Sequence, residues 1–145
     1  MIRLVPKDLD FVKSWEKLKN YWYDAGDGLQ TGGWGHVQLP GEESITFITD
    51  EQAGTWLEKD IDIVEHGVSK LVNIATTHNQ YLALCSLVFN CGVGAFSKSD
   101  TRKVVNKGVI RDIIVRWQTA FITVDGKLSA GLVARRAAEA KLWET

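Results

Sequence analysis

The chain has 145 residues, is 45% hydrophobic and 24% charged, and carries a net charge of −1. That is the composition of a soluble globular protein with enough length to bury a core, and it reads as one domain over 1–145. No segment approaches the ~20 apolar residues of a membrane-spanning helix, so no membrane insertion is expected.

The N-terminal stretch Met1–Asp8 lacks the apolar run of a secretory signal, which predicts synthesis and folding in a cytosol. Cys85 and Cys91 sit six apart inside or beside an apolar helical run, without the CxxC spacing of zinc or redox sites; two buried thiols are expected in place of a disulfide. His36, His66 and His78 show no metal-ligand spacing. No metal and no cofactor are expected.

Charge is uneven along the chain. Residues 1–72 hold 7 basic and 13 acidic side chains, and residues 73–145 hold 10 and 5. A basic half can draw a polyanion such as nucleic acid or an anionic cell wall. Lys98, Arg102, Lys103, Lys107, Arg111 and Arg116 are spread out with no aromatic interleaving, which favours solvated helix faces and argues against a nucleic-acid partner.

In chain order, Lys7 to Asn20 reads as a helix, with Pro6 at its entrance and Phe11, Val12, Trp15 and Leu18 at helical spacing. Glu16 lies well off the stripe formed by Phe11, Trp15, Leu18 and Trp22. Residues 21–48 change character. Asp27-Gly28 signals a hairpin between Tyr21–Asp24 and Leu29–Thr31, and Pro40-Gly41 turns the chain before Ser44–Ile48. A small three-stranded antiparallel sheet is expected, too small to stand without helices.

From Thr49 the pattern is helical. Thr49 with Gln52 makes a capping box, and apolar residues keep helical period from Ala53 to Ala75. Thr77 with Gln80 starts a second helix ending near Gly92 and Gly94. Short helices follow around Thr101–Asn106 and Val109–Trp117; Asp125-Gly126 turns, and Ser129 caps a last helix. The expected class is α+β, mostly α: a small sheet lobe joined by a long helix to a helical lobe, with a cleft where the lobes meet.

Residues 16–36 carry the chemistry. Glu16 is followed by a turn-rich ribbon bearing Asp24, Asp27 and Thr31 and closing Gly33-Trp34-Gly35-His36. A carboxyl group facing a second carboxylate and a hydroxyl is minimal equipment for splitting a glycosidic bond. The ribbon resembles the opening of phage endolysins of the lysozyme (muramidase) type. Glu16, Tyr23, Gly28, Thr31, Gly33, Gly35 and His36 fall on that family's pattern, and Trp34 replaces its second Tyr. Where the family carries its catalytic Asp, this chain has Ala25. The likeness continues through Asn79-Gln80, Phe89-Asn90, Gly92–Phe96, and Gly131–Val133 with Arg135, Arg136 and Glu139.

The resemblance implies a lysozyme-like fold and a muramidase acting on the β-1,4 bond between N-acetylmuramic acid and N-acetylglucosamine. Glu16 would be the general acid and Thr31 a hydroxyl that orients water. Asp24 is the first candidate for the second carboxylate, Asp27 the next, and the third alternative is that neither serves; alternation along a regular strand would turn Asp24 away, and a bulge would be needed to re-aim it. Trp34 either lines the groove against a sugar ring or packs between the lobes. Arg135 and Arg136 either hold Glu16, bind a substrate carboxylate (Arg136 being the expected substrate contact), or are solvated. His36 reads as structural.

The expected partner is the peptidoglycan glycan strand, met by a monomer. The resemblance further implies an enzyme that waits in the host cytoplasm and is released to the periplasm and cell wall through a membrane lesion made by a holin. Two alternatives follow from Ala25: a lytic transglycosylase with a single catalytic Glu, or an inactive homologue that binds cell wall.

Overall fold

The computed structural model describes residues 2–26 and 28–145. It divides into two compact units, Val5–Ile63 and Val64–Thr145 with the N-terminal residues to Leu4.

The first unit opens with α1, Pro6–Lys13. Pro6 fits the first helical position because no backbone donor is needed there, and the Asp8 carboxylate accepts from Val5 N at 2.7 Å. The helix stops well before the expected Asn20. Ser14 Oγ donates to the Phe11 carbonyl, diverting an acceptor from the helical ladder. Asn20 is claimed elsewhere: its amide donates to Ile48 O at 2.7 Å and Asp50 Oδ1 at 2.9 Å, and its carbonyl accepts from Ile48 N at 2.8 Å. Lys19–Asp24 is therefore strand β1, followed by β2 (Gln30–Gly33) and β3 (His36–Val37) in one antiparallel sheet of order β1-β2-β3.

Ser44–Ile48 is not a strand. Glu42–Ser44 is a single 3₁₀ turn, and Ile48 is wholly buried with Ala53 and Trp56, against which Leu18, Trp22, Trp34 and Ile45 pack. Leu18 and Trp22, expected on a helical stripe, thus serve this small core.

Helix α2 spans Asp50–Leu71, and Gln52 N donates to Thr49 Oγ1 as the sequence signal requires. It ends before Ala75. In the second unit α3 (His78–Cys91) starts at a capping box made by Thr77 and Gln80. Next come α4 (Val93–Ser97), which the sequence did not announce, α5 (Asp100–Lys107) and α6 (Ile110–Trp117). A ribbon of β4 (Thr123–Val124) and β5 (Lys127–Leu128) forms around the Asp125-Gly126 turn. Helix α7 (Ala130–Leu142) begins where Leu132 N donates to Ser129 Oγ.

The core of this unit gathers Val64, Val68, Leu84, Leu87, Val88, Phe96, Val105, Ile113, Trp117 and Trp143 around α3, whose residues 81–88 are all buried. Cys85 is buried and Cys91 half-buried, both as free thiols. Burial pushes the Cys91 thiol up to about 12, which keeps it protonated at neutral pH.

Candidate active site

The expected catalytic residues Glu16, Asp24 and Thr31 all lie in the first unit, on the sheet and on the bend that precedes it. Glu16 comes after α1, on a bend closed by Trp15 N to Val12 O and Glu16 N to Lys13 O, each 3.1 Å. It is half-buried.

Thr31 is buried on β2, paired with Val37 of β3 on one side and Tyr23 of β1 on the other. Directly opposed residues of an antiparallel ladder share one face of the sheet. Asp24 pairs with Gln30 and so takes the other face. A bulge exists, but it lies upstream: the register runs from Lys19↔Gly33 to Tyr23↔Thr31 and is regular at Asp24.

The Asp24 carboxylate is already occupied. Its Oδ1 accepts from Gly26 N at 2.8 Å and Gly28 N at 3.2 Å, closing the turn that leads into β2. Gly26 and Gly28 have φ of 103° and 79°, a region that suits glycine and makes so tight a turn possible. The structure therefore does not bring Asp24 to Thr31, and the expected pairing of those two as water-positioning groups is corrected to a turn-closing Asp24. Asp27 lies outside the described residues.

Trp34 sits in the β2–β3 turn, half-buried against the Ile48–Ala53–Trp56 cluster, with Lys13 Nζ 5.3 Å from its ring centroid. His36 is buried on β3. Its Nδ1 meets Asp60 Oδ2 and its Nε2 meets Glu42 Oε1, both at 2.8 Å, and its ring stacks on Trp56 at 4.5 Å. Burial acts to lower its pKa, but the two carboxylate hydrogen bonds outweigh that and raise it above the usual histidine value. His36 thus pins the sheet to α2 and to the Glu42–Ser44 turn.

Arg135 and Arg136 are neither solvated nor open to substrate. Both are buried on α7 around Glu139, itself fully buried. Arg136 donates through Nε to Ala120 O at 2.7 Å, through Nη1 to Glu139 Oε1 at 2.8 Å, and through Nη2 to Asn90 Oδ1. Burial lowers its pKa, and Glu139 opposes the shift. Arg135 Nε donates to Glu139 Oε2 at 3.2 Å and its Nη2 to Ser86 O at 3.0 Å. With each of its nitrogens engaged and no exposed surface, Arg136 is a framework residue, which corrects the expected substrate contact. The signal in the sequence was Glu139, at the three- and four-residue helical spacing that lets one carboxylate meet both guanidinium groups.

Sequence reasoning passed over Tyr23 as a candidate group. The hairpin signal at Asp27-Gly28 carries no register; the observed pairs are Tyr23↔Thr31 and Asp24↔Gln30.

Comparison with known proteins fits this arrangement. The phage lysozyme family profile matches residues 13–139, a span that contains Glu16, Thr31 and the α7 arginines. The endolysin of Acyrthosiphon pisum secondary endosymbiont phage 1 is 35% identical over 142 residues, covering 96% of each chain. The endolysin of Salmonella phage P22 is 34% identical over 134 residues, covering 88% of this chain and 87% of that one. Among solved structures, the muramidase domain of SpmX from Asticaccaulis excentricus superposes with a TM-score of 0.86 at 29% identity, covering 100% of this chain and 99% of that one. A mostly helical fold with a small antiparallel sheet, matched from end to end in this way, makes the chain a member of the phage lysozyme family of peptidoglycan-cleaving endolysins.

Proposed function

We propose that the protein hydrolyses the β-1,4 bond between N-acetylmuramic acid and N-acetylglucosamine, with Glu16 as general acid and Thr31 as a hydroxyl that orients the attacking water. The observation that carries this reading is the position of Glu16 on the non-helical bend immediately before β1, in the same compact unit as Thr31 and inside the family match. Bond cleavage needs a proton delivered to the leaving oxygen as charge develops there, a task worth about 10²–10⁴ in rate. Trp34, half-buried in the β2–β3 turn, would meet a sugar ring with the surface it keeps. The enzyme acts as a monomer on glycan strands and reaches the wall when the host membrane is breached; among the described residues no helix is long and apolar enough to cross a membrane.

One observation supports a second reading. Asp24 is committed to its turn, and a lytic transglycosylase needs no second carboxylate because a hydroxyl of the substrate itself attacks. Turbidity loss of outer-membrane-permeabilised cells, with mass spectrometry of the released fragments, separates the two. Reducing muramic ends that vanish with Glu16→Gln support hydrolysis; anhydro-sugar ends would replace it with the transglycosylase reading. Wild type that binds purified sacculi without releasing fragments would sink both.

A further inference from the structure

Cleavage by attack of water requires a group that holds the water against the sugar carbon, a role usually filled by a second carboxylate. Here that role has no obvious carboxylate owner among the described residues of β1. Asp24 faces away from Thr31 and closes a turn. Ala25, the residue after the strand, has no polar side-chain atom to offer.

The side chain that does share a face with Thr31 is Tyr23. The two are direct partners in the ladder, which sets their Cβ atoms about 4.5–5.5 Å apart. The register that pairs them follows the bulge between Lys19 and Tyr23, and bulges re-aim side chains in this way. Tyr23 is half-buried, so its ring is held while part of it still meets solvent. Lys19 Nζ lies 6.0 Å from its centroid and 5.9 Å from that of Tyr21, at the outer limit of a cation–π attraction.

We propose that Tyr23 is the positioning residue that replaces the missing carboxylate, its phenol and the Thr31 hydroxyl together holding the attacking water. This rests on the reading of Glu16 as general acid. Glu16 gives its proton to the glycosidic oxygen as the bond from that oxygen to the anomeric carbon breaks and its electron pair stays with the oxygen. The water oxygen bonds to the anomeric carbon, and the proton it sheds passes to bulk water. Tyr23 and Thr31 donate and accept hydrogen bonds throughout and are not consumed.

The position of the family's carboxylate supplies the test. Ala25 directly follows β1, two residues on from Tyr23, and stands where the family carries its catalytic Asp, so a carboxylate introduced there restores that group. Fragment release would be measured for wild type, Tyr23→Phe, Ala25→Asp and the double variant, with thermal melts to confirm folding. Tyr23→Phe keeps the ring and removes only the hydroxyl.

It is expected to lower kcat by about 10–100-fold with KM little changed. Ala25→Asp alone is expected to match or exceed wild type. In the Ala25→Asp background, Tyr23→Phe is expected to cost no more than about threefold, because the new carboxylate takes over the water.

Unchanged kcat in Tyr23→Phe would overturn the proposal, as would an equal loss in both backgrounds, which marks a packing role. Silent wild type with active Ala25→Asp would overturn it too, since no side chain would then be doing the carboxylate's work. Activity in wild type that survives Glu16→Gln is a different result: it removes the general acid, and with it the reading on which Tyr23 depends.

Discussion

His36 Nδ1 lies 2.8 Å from Asp60 Oδ2, and the opposite edge of the same ring meets Glu42 Oε1 at the same distance. One side chain thereby ties three separated pieces of chain: β3, α2 and the Glu42–Ser44 turn. Two carboxylate acceptors on one imidazole favour the doubly protonated ring, and its pKa is raised accordingly, against the burial that alone would lower it.

A stability signature in pH follows. Because the folded-state pKa exceeds the unfolded value of about 6.5, the extra stabilisation is full below that unfolded value and fades as pH climbs through the folded pKa. His36→Gln is expected to lower stability by about 1.5–3 kcal/mol near pH 5.5. Thermal melts of both proteins from pH 5.5 to 9 should show the gap narrowing toward alkaline pH; a gap that widens would contradict a protonated His36.

Glu139 is the counterpart in the helical unit. Fully buried, it accepts from both α7 arginines, from Ser86 Oγ and, at 3.1 Å, from Trp117 Nε1. Removing it leaves two buried guanidinium groups without their shared anion. Glu139→Ala is expected to cost about 3–5 kcal/mol, read as a lowered urea midpoint with an unchanged slope. Glutamine keeps the shape but not the charge, and should fall between the two.

These two networks mark how far the sequence could be read. Caps and periodicity located α2, α3, α5, α6 and α7 because each signal there is local: Thr49 with Gln52, Thr77 with Gln80, and Ser129 on the donor three residues ahead. Residues 14–20 failed as helix because the competitor is distant, Asn20 bonding to Ile48 and Asp50. The third strand was missed since His36–Val37 is two residues long and carries no period. Family resemblance named Glu16 and Thr31, but only the ladder register could show that Tyr23, and not Asp24, faces Thr31.

Helix α2 holds two glycines whose replacement should act in opposite directions. At Gly54 an added methyl group meets nothing within 4 Å, whereas at Gly67 it would come 2.8 Å from both Val93 methyl carbons. Intrinsic propensity favours alanine at either place by about 1 kcal/mol. Gly54→Ala should therefore stabilise by up to that amount, while Gly67→Ala should destabilise by about 1–3 kcal/mol through overpacking against α4. Adding Val93→Ala to Gly67→Ala removes the clash and should recover part of the loss. Denaturant titration of the four proteins decides the point; stabilisation by Gly67→Ala would mean that α4 yields freely.

Asp24 and Glu16 should separate cleanly in activity. Asp24 accepts two backbone hydrogen bonds within its own turn and faces away from Thr31, so Asp24→Ala removes a turn clamp. The expected cost is about 0.5–1.5 kcal/mol of stability, typical of hydrogen bonds lost at an exposed site, with activity below the melting transition reduced by no more than about threefold, because only the turn's precision is disturbed. Asp24→Asn keeps one acceptor oxygen and should be milder still. Glu16→Gln, by contrast, removes the transferable proton and should lower fragment release by about 10²–10⁴ with little change in melting temperature. Should Asp24→Asn lose activity on the scale of Glu16→Gln while remaining folded, Asp24 would have to leave its turn during catalysis, and Tyr23 would lose its claim to the water.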